Sequence, residues 1–471
     1  MTSHTPPLAT SSQAASPVAL AAVGHAAPSP WPTQQRFKPK QPGQKMGIGL
    51  IGLGTVGQGV YKLLKRHPQL DVRHVVVRNP DKPRFVNGIA PNDLSGTPDA
   101  LLADPNVAIV IEVAGGVVPA KHWVEEALKA GKHVVTANKE LLAKHGPELF
   151  ALANKHNVRL LMEGAVAGGI PILLPLRQSL AANHVEEIAG ILNGTTNYIL
   201  TRMMETGASF ADALAEAQAK GFAEADPTSD VEGYDAAYKT AILAMLTAER
   251  SIDVSQLHCE GITHITADDM AFAKAHGYAI RLIGLARFGA RPTQPDAPIA
   301  VDLRVHPMLV PQTHPLASIR NENNAIVVQG DALGQAMFYG KGAGELPTAS
   351  SVMGDVLALV ADMVLDNDPV PSMRLHCEQA ASLIPIGDTI NRYYLRLITE
   401  DAPGVIAQLG KAFGEQGVSV ASLVQSPDAE SGRASLVIVT HDVQEAHFMA
   451  ALEVIKTQPT THAIGSVLRV L

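Results

Sequence analysis

Cysteine and aromatic residues are both scarce in this sequence. Cys259 and Cys377 are its two cysteines, far apart and without the paired spacing of a zinc site, and aromatic residues make up only 4% of the chain. Two cysteines so far apart give no reason to expect a disulfide framework, and this low cysteine content fits a reducing compartment. We expect a soluble, cytoplasmic protein.

The chain also lacks an excess of positive charge and a long apolar run. Its 37 Lys and Arg residues stand against 45 Asp and Glu residues, for a formal net charge of -8. No basic field is therefore available to bind nucleic acid or an anionic membrane. Apolar stretches such as 165–176 are shorter than the roughly 18 residues that span a bilayer. We expect neither a nucleic-acid partner nor a membrane.

The first 44 residues are rich in Ser, Thr, Pro, Ala and Gln and show no periodic apolar pattern. They contain no basic start followed by an apolar core, and their first arginine is Arg36, so neither a secretory signal nor an Arg-rich transit peptide is indicated. We expect residues 1–44 to be a disordered extension and assign them no role.

At 471 residues the chain is long enough for about three domains. From residue 46, short β-branched runs alternate with helix-like segments such as 120–130; the runs lie at 46–51, 72–77, 108–111, 133–136 and 158–161. This alternation is typical of an α/β fold, a Rossmann-type doubly wound parallel sheet. We assign residues 45–182 to this domain and expect about 335–370 to complete it, with a turn-rich segment at 339–348 and a helix at 350–365.

Two further domains are predicted. Residues 183–334 mix strands at 299–305 and 325–329 with Ala-rich helices at 210–220, 232–249 and 267–283, which is typical of an α+β domain for substrate binding and dimerisation. A linker is expected at 371–390. Residues 391–471 show a β-α-β-β-α-β order, which is the ferredoxin-like arrangement.

The first apolar run leads directly into a glycine-rich turn. Gly52, Gly54 and Gly57 form a G-x-G-x-x-G pattern, with Thr55 and Val56 between them, and a helix is predicted to follow. Glycines let the backbone approach a pyrophosphate, while free N–H groups at the helix start bind the anion. The pattern alone could be an ordinary turn, but between a strand and a helix it predicts a dinucleotide site.

The end of the second predicted strand bears on the choice of cofactor. Where an acidic residue would contact the ribose 2′-hydroxyl of NAD, the sequence reads Val77-Arg78-Asn79. A guanidinium suits a 2′-phosphate, so we expect NADP, with NAD as the alternative. Asp81 lies close by and weakens this preference, and Arg78 could equally be a surface charge.

Small and polar residues follow two other predicted strands. Ala114 and Gly115 come after the strand at 108–111, and Lys139 comes after the strand at 133–136. Ligands of open α/β sheets bind at the carboxyl ends of the strands. Lys139 can face a cofactor phosphate or a reacting carbonyl there, although most lysines are solvated surface residues.

Residues 221–239 carry five carboxylates and one lysine. The Asp226-Pro227 step marks a helix start. Asp235 and Lys239 are four residues apart, so they share a helix face on which the carboxylate can orient the ammonium. The alternative is a routine surface pair, which contributes little to stability.

Together these segments resemble homoserine dehydrogenase. The match covers about residues 46–366, and its most specific parts are 135–139, 192–198, 224–239 and 324–355. The resemblance implies a reversible reduction of L-aspartate 4-semialdehyde to L-homoserine with NAD(P)H, a step toward threonine and methionine. It also places Gly344 at the cofactor.

The resemblance assigns further roles residue by residue. Lys239 corresponds to the catalytic lysine of the family and Lys139 to the lysine near the nicotinamide and substrate. Glu224 corresponds to the substrate-binding acid and Asp235 to its supporting carboxylate, and we expect Asp230 to join them. These roles fit the chemistry, because hydride transfer to an aldehyde leaves negative charge on oxygen, which an ammonium can stabilise and protonate.

Residues 163–170 resemble a sodium-binding loop of the family, in which the backbone carbonyls of Glu163, Val166, Gly168 and Ile170 would bind the ion. Carbonyl oxygen is a suitable ligand for a hard cation. The residues themselves show only a glycine-rich loop after a strand, so a sodium site and an empty loop both stay open.

From about residue 393 the chain resembles an ACT domain, with 399–405 as the loop between its first strand and first helix. ACT domains bind amino acids between paired copies, and Asp401 and Gly404 in this loop favour threonine as the effector. Exposed strand edges and ACT pairing indicate a homodimer or homotetramer.

Two other functions stay open on sequence alone. One is a non-catalytic dinucleotide-binding sensor, which would need none of Lys139, Glu224, Asp235 and Lys239. The other is an oxidoreductase of the same fold that acts on a different semialdehyde or on a sugar.

Overall fold

The computed structural model describes residues 45–80, 88–89, 94–290, 298–364, 375–428 and 432–471. The predicted extension at 1–44 and Asp81 lie outside these residues.

The described residues form strands and helices in the following order along the chain. The strands are β1 (Met46–Ile51), β2 (Leu70–Val76), β3 (Leu94–Ser95), β4 (Val107–Glu112), β5 (His133–Thr136), β6 (Leu160–Leu161), β7 (Val185–Ile191), β8 (His258–Cys259), β9 (Tyr278–Phe288), β10 (Ala300–Pro311), β11 (Asn323–Gly330), β12 (Gly334–Lys341), β13 (Ser382–Leu383), β14 (Ile390–Glu400), β15 (Val420–Asp428), β16 (Arg433–Thr440), β17 (Val443–Gln444) and β18 (Thr461–Val470). The helices are α1 (Thr55–Leu64), α2 (Asp99–Ala103), α3 (Ala120–Lys129), α4 (Lys139–Lys155), α5 (Leu173–Arg177), α6 (Gly194–Thr206), α7 (Phe210–Ala219), α8 (Thr228–Val231), α9 (Tyr234–Ala248), α10 (Ala267–Ala275), α11 (Glu345–Val364), α12 (Val405–Glu415) and α13 (Glu445–Lys456).

The first sheet, sheet A, is parallel throughout and has the order β3-β2-β1-β4-β5-β6. The predicted Rossmann-type doubly wound sheet is confirmed. Strands β1 and β4 lie at its centre and are buried along their whole length, as expected for strands with helices on both faces. Their carboxyl ends therefore place the 52–57 turn and the 112–116 segment side by side.

Helix α11 returns to sheet A from far along the chain. Its residues Ala349, Val352, Val356 and Leu359 are buried in the same core as strand β1 and helix α1, which confirms the predicted packing. Within the described residues, α11 is the one helix long and apolar enough to cross a membrane. Its buried face identifies it as a core helix of this domain.

The second sheet, sheet B, is mixed and follows the order β12-β11-β7-β9-β10-β18-β14-β16-β15. The helix predicted over 267–283 is wrong in its second half, because α10 ends at Ala275 and β9 follows. Gly277 has φ +76, a left-handed conformation that ends a helix. The next residues are buried between β7 and β10, so pairing in the sheet outweighs their helical propensity.

The prediction of a turn-rich segment at 339–348 is right only for residues 342–344. Strand β12 extends to Lys341, and α11 begins at Glu345 rather than near 350. Strand β12 pairs with β11 along its full length, but its burial alternates residue by residue. The glycines in this segment suggested a turn, although Gly340 lies in the strand.

The C-terminal residues form the predicted β-α-β-β-α-β arrangement. Their sheet is joined to the preceding domain, because β18 pairs in parallel with β10 at Met308–Arg469 and Leu309–Val470. The Leu471 N–H also donates to the Leu309 carbonyl at 3.0 Å. One edge of β10 is thus covered by three separate strands, β13, β8 and β18, and β13 lies within the segment predicted as a linker.

Two buried carboxyl groups connect α11 to the loop after β6. The Asp355 Oδ2 accepts a hydrogen bond from the Glu163 N–H at 2.8 Å. The Glu163 carboxylate in turn accepts from three backbone N–H groups, those of Ile172, Leu173 and Leu174. Burial raises the pKa of Asp355 to about 8, and the nearby charge of Glu163 adds to this effect.

We expect Asp355→Asn to stabilise the protein more at pH 7 than at pH 5. Between its ordinary pKa of 3.8 and about 8, the folded state retains a proton that the unfolded chain has lost. The wild type therefore loses about 1.4 kcal/mol of unfolding free energy per pH unit in this window. The amide oxygen still accepts from Glu163 and does not titrate. Thermal unfolding of both proteins at the two pH values measures this, and an equal difference at both would contradict it.

Candidate active site

The glycine-rich turn leaves an open face at the start of α1. Gly52 has φ +100, and a Cβ there would lie 2.6 Å from the Val113 carbonyl carbon. A Cβ at Gly57 would lie 2.2 Å from the Gly52 oxygen, whereas a Cβ at Gly54 would meet nothing within 4 Å. The first and third glycines thus permit the tight turn. The second leaves room for a pyrophosphate at the helix N-terminus.

Glu112, which the sequence interpretation did not identify, organises the neighbouring loop. It is fully buried at the end of β4, and its carboxylate accepts from Thr136 Oγ1 at 2.7 Å and from the N–H groups of Ala114 at 2.8 Å and Gly115 at 3.3 Å. Burial raises its pKa. The sequence signal that could have revealed Glu112 is an acidic residue at the end of an otherwise apolar strand.

Asn138 attaches the same loop to helix α4. Its Nδ2 donates to the Gly116 carbonyl at 2.6 Å, and its Oδ1 accepts from the Leu141 N–H at 3.2 Å, which caps the helix. This cap fixes the next residue, Lys139, at the carboxyl edge of sheet A.

Lys139 and Lys239 converge on one carboxylate. Lys139 Nζ lies 2.6 Å from Asp235 Oδ1, and Lys239 Nζ donates to Asp235 Oδ2 at 2.6 Å. Asp235 is 4% exposed and Lys239 is 7% exposed, so the alternative of a routine surface pair is wrong. Because Lys139 begins α4 and the other two residues lie on α9, this cluster joins the sheet A domain to the next one.

Asn193 adds a second carboxylate to the cluster. Its Nδ2 donates to Asp230 Oδ1 at 2.7 Å and to Asp235 Oδ2 at 2.9 Å. Its Oδ1 accepts from the Thr196 N–H at 2.8 Å and caps α6. Asp230 therefore lies in the cluster, and Asn193, whose amide positions it, is a residue that the sequence interpretation missed. An Asn before Gly-Thr-Thr is a helix-cap signal that could have revealed it.

The charges in this cluster depend on one another. Burial raises the pKa of Asp235, but the two lysines outweigh this effect and hold it well below its usual range. Burial lowers the pKa of Lys239, and the charge of Lys139 adds to this. For Lys139, burial is outweighed by Asp235, so its pKa is raised. The two ammonium groups therefore differ: Lys239 releases its proton more readily than Lys139.

Other predicted site residues lie outside this cluster. The side chain of Glu224 is exposed, and among the described residues its carboxylate has no hydrogen-bond or ion-pair partner. Arg78 is exposed two residues after Val76, whose carbonyl accepts from the Gly52 N–H. Gly344, with φ +117, directly precedes α11.

The loop predicted to bind sodium turns sharply at Ala167 and Gly168, which both have φ +54. The Gly168 carbonyl accepts from Ser351 Oγ at 2.7 Å, so one of the four predicted ligand atoms already has a partner. In the described part of the chain, His, Cys, Asp and Glu side chains form no cluster of three or more suited to a metal. The ligand atoms that this loop offers to a cation are therefore its backbone carbonyl oxygens.

Comparisons with known proteins agree with this geometry. Family models described as homoserine dehydrogenase, as the NAD binding domain of homoserine dehydrogenase and as the ACT domain match residues 171–357, 52–163 and 393–459. A homoserine dehydrogenase from Synechocystis sp. is 46% identical over 434 residues, covering 90% of this chain and 99% of the relative.

Solved structures show the same likeness. A homoserine dehydrogenase from Thiobacillus denitrificans matches with a TM-score of 0.83 and 37% identity, covering 91% of this chain and 98% of that one. A hyperthermophilic archaeal homoserine dehydrogenase mutant in complex with NADPH matches with a TM-score of 0.57 and 25% identity, covering 68% of this chain and 98% of that one. With its glycine-rich turn, its paired lysines and these relatives, the chain belongs to the homoserine dehydrogenase family, whose members are nicotinamide-dependent oxidoreductases acting on a CH–OH group.

Proposed function

We propose that this chain catalyses the reversible reduction of L-aspartate 4-semialdehyde to L-homoserine with NAD(P)H, and that Lys239 protonates the carbonyl oxygen. The observation that carries the proposal is the meeting of Lys139 and Lys239 on Asp235 at the edge of sheet A. Burying such charges costs free energy. A sensor without catalysis would have no use for them.

The nicotinamide, when bound, supplies the hydride that reaches the aldehyde carbon. Negative charge then develops on the carbonyl oxygen, where a buried ammonium stabilises it strongly. Lys239 has three N–H donors and uses two of them, on the Leu192 carbonyl at 2.7 Å and on Asp235 at 2.6 Å. The third can bind the substrate oxygen and transfer its proton. In the direction of homoserine oxidation, the neutral amine takes the proton back.

Lys139, Asp230 and Glu224 fit the task of orienting the substrate. Lys139 follows the capped Asn138 at the edge of sheet A, and its raised pKa keeps it charged while Lys239 exchanges a proton. Asp230 in the cluster and the exposed Glu224, whose carboxylate has no partner in the described part of the chain, provide negative charge for the α-ammonium of the substrate. Orientation of this kind supplies much of an enzyme's rate.

Replacing Lys239 by Met tests the proton donor. We expect Lys239→Met to lower kcat by about 100- to 10,000-fold, because general acid catalysis contributes roughly that much, while the dissociation constant for NADPH changes little. The rate of NADPH oxidation with aspartate semialdehyde and a fluorescence titration of NADPH measure the two quantities.

The matched control is Lys144→Met, because Lys144 is an exposed lysine on α4 that pairs with Glu140. It should retain wild-type kcat. Near-normal turnover in Lys239→Met would overturn the assignment of this residue. A wild type that oxidises other hydroxy compounds faster than L-homoserine would point to a different semialdehyde or sugar as the substrate.

We also propose that the cofactor is NADP. Arg78 lies exposed just beyond β2, next to the glycine-rich turn, and its guanidinium can form two hydrogen bonds to a 2′-phosphate. The NADPH complex of the archaeal relative supports this preference.

We further propose that carbonyls of Glu163, Val166, Gly168 and Ile170 bind a sodium ion. A cytoplasmic location and a homodimer or homotetramer are also proposals.

Exchange of Arg78 tests the cofactor preference. We expect Arg78→Ser to lower kcat/KM for NADPH about 10- to 100-fold, the equivalent of a lost charge-assisted contact, and to change the value for NADH much less. Initial rates with the two cofactors give the ratio. If both values fall equally, Arg78 does not contact the 2′-phosphate.

We propose that L-threonine inhibits the enzyme through the ACT domain. The loop between β14 and α12 contains Asp401, which accepts a hydrogen bond from Gln425 Nε2 on β15 at 2.8 Å, and Gly404 with φ +94. This loop presents an acid that can bind an α-ammonium group.

We expect millimolar L-threonine to lower the initial rate of the wild type, and Asp401→Ala to remove most of this inhibition without changing the uninhibited rate. Parallel assays with L-methionine, L-isoleucine and L-lysine establish specificity. Equal rates with and without L-threonine in the wild type would rule out threonine as the effector.

A further inference from the structure

Arg469 on β18 contacts two domains at once. Its Nε donates to Glu445 Oε2 at 2.9 Å, its Nη2 bonds the other oxygen of the same carboxylate, and Tyr393 Oη donates to Glu445 Oε2 at 2.7 Å. These contacts lie within the ACT domain and fix the guanidinium. The remaining nitrogen, Nη1, donates to Glu260 Oε1 at 2.9 Å, across the interface with the preceding domain.

Glu260 belongs to segment 259–262, which packs on the junction between α8 and α9. The Ile262 N–H donates to the Val231 carbonyl at 2.8 Å, and Cys259 Sγ donates to the Glu232 carbonyl at 3.3 Å. Gly261 lies so close that a Cβ there would be 2.4 Å from the Val231 oxygen. Residues 259–262 therefore determine where the α8–α9 junction lies.

The α8–α9 junction carries the acids of the active site on its two sides. Asp230 lies in α8, and its carbonyl accepts from the Gly233 N–H at 3.0 Å. Its carboxylate accepts from Asn193, which also binds Asp235 near the start of α9. A displacement of the junction would consequently move Asp230 relative to Asp235 and the two lysines.

We propose that the Arg469–Glu260 ion pair is a positioning contact, through which the ACT domain sets the place of the Asp230 carboxylate in the active site. The inference rests on the proposed function, since Asp230 is taken to bind the substrate ammonium. In the described part of the chain, Glu260 and Arg469 form no hydrogen bond or ion pair with Asp230, Asp235 or the two lysines. They act through residues 259–262 and the α8–α9 junction.

A second ion pair between the same two domains provides the control. Arg396 of the ACT domain binds Asp268 at 3.3 Å and Asp269 at 3.0 Å, as Arg469 binds Glu260 and Glu445. Removing Asp268, like removing Glu260, takes one carboxylate from an arginine that retains another. Asp268 lies on α10, outside segment 259–262 and the α8–α9 junction.

The experiment compares Glu260→Ala and Arg469→Lys with Asp268→Ala in the full-length protein. In Arg469→Lys the ammonium can still bind Glu445 but lacks the forked geometry that serves two carboxylates. We expect the first two variants to raise KM for L-homoserine about three- to tenfold, because loss of orientation weakens substrate binding, with KM for NADP unchanged. Asp268→Ala should resemble the wild type in both constants. Glu260→Gln, which keeps the acceptor oxygen, should raise KM for L-homoserine less than Glu260→Ala does.

Hydrogen exchange gives a readout that does not depend on turnover. Amides of residues 230–233 and Ile262 should exchange faster in Glu260→Ala and Arg469→Lys but not in Asp268→Ala. Unchanged exchange there, or equal changes in KM for all three variants, would overturn the inference. A wild type that does not oxidise L-homoserine would instead refute the proposed function, while the exchange data would still test the contact.

Discussion

The active site depends on one buried carboxylate that binds two ammonium groups from different domains. Without Asp235, Lys139 would leave its charge close to the buried ammonium of Lys239, and such an arrangement of like charges is strongly unfavourable. With Asp235 in place, the cluster joins the two domains. Because the two lysines are unequally buried, the pKa of Lys139 is raised and that of Lys239 is lowered. Stability and chemistry thus use the same three side chains.

The scaffold around this cluster follows from ordinary rules of α/β architecture. Parallel strands bring their carboxyl ends to one edge, so the glycine-rich turn after β1, the loop after β4 and Lys139 after β5 become neighbours although they are distant in sequence. Glu112 and Asn138 then fix the backbone between them by hydrogen bonds. Such bonds leave the loop little freedom to move when a nucleotide binds, which lowers the entropic cost of binding.

Much of this arrangement could be predicted from sequence, because period, glycine pattern and spacing are local signals. The parallel doubly wound sheet, the glycine-rich turn after β1 and the shared helix face of Asp235 and Lys239 all follow from such signals. Strand β9 could not be recognised, since its Ala- and Leu-rich sequence is also compatible with a helix and only pairing with β7 and β10 decides between the two. Asn193 was missed for a related reason: its role depends on two acids 37 and 42 residues away in the chain.

The edge of β10 has a consequence for how the protein folds during its synthesis. Within the described residues, its Met308–Leu309 stretch has Arg469–Val470 of β18 as its parallel neighbour. A ribosome must therefore synthesise the chain as far as Val470 before this part of the edge is covered, and until then the nascent chain exposes an unpaired stretch of strand of the kind that attracts other chains. Strand β18 thus closes sheet B between β10 and β14 after both of these strands have been synthesised.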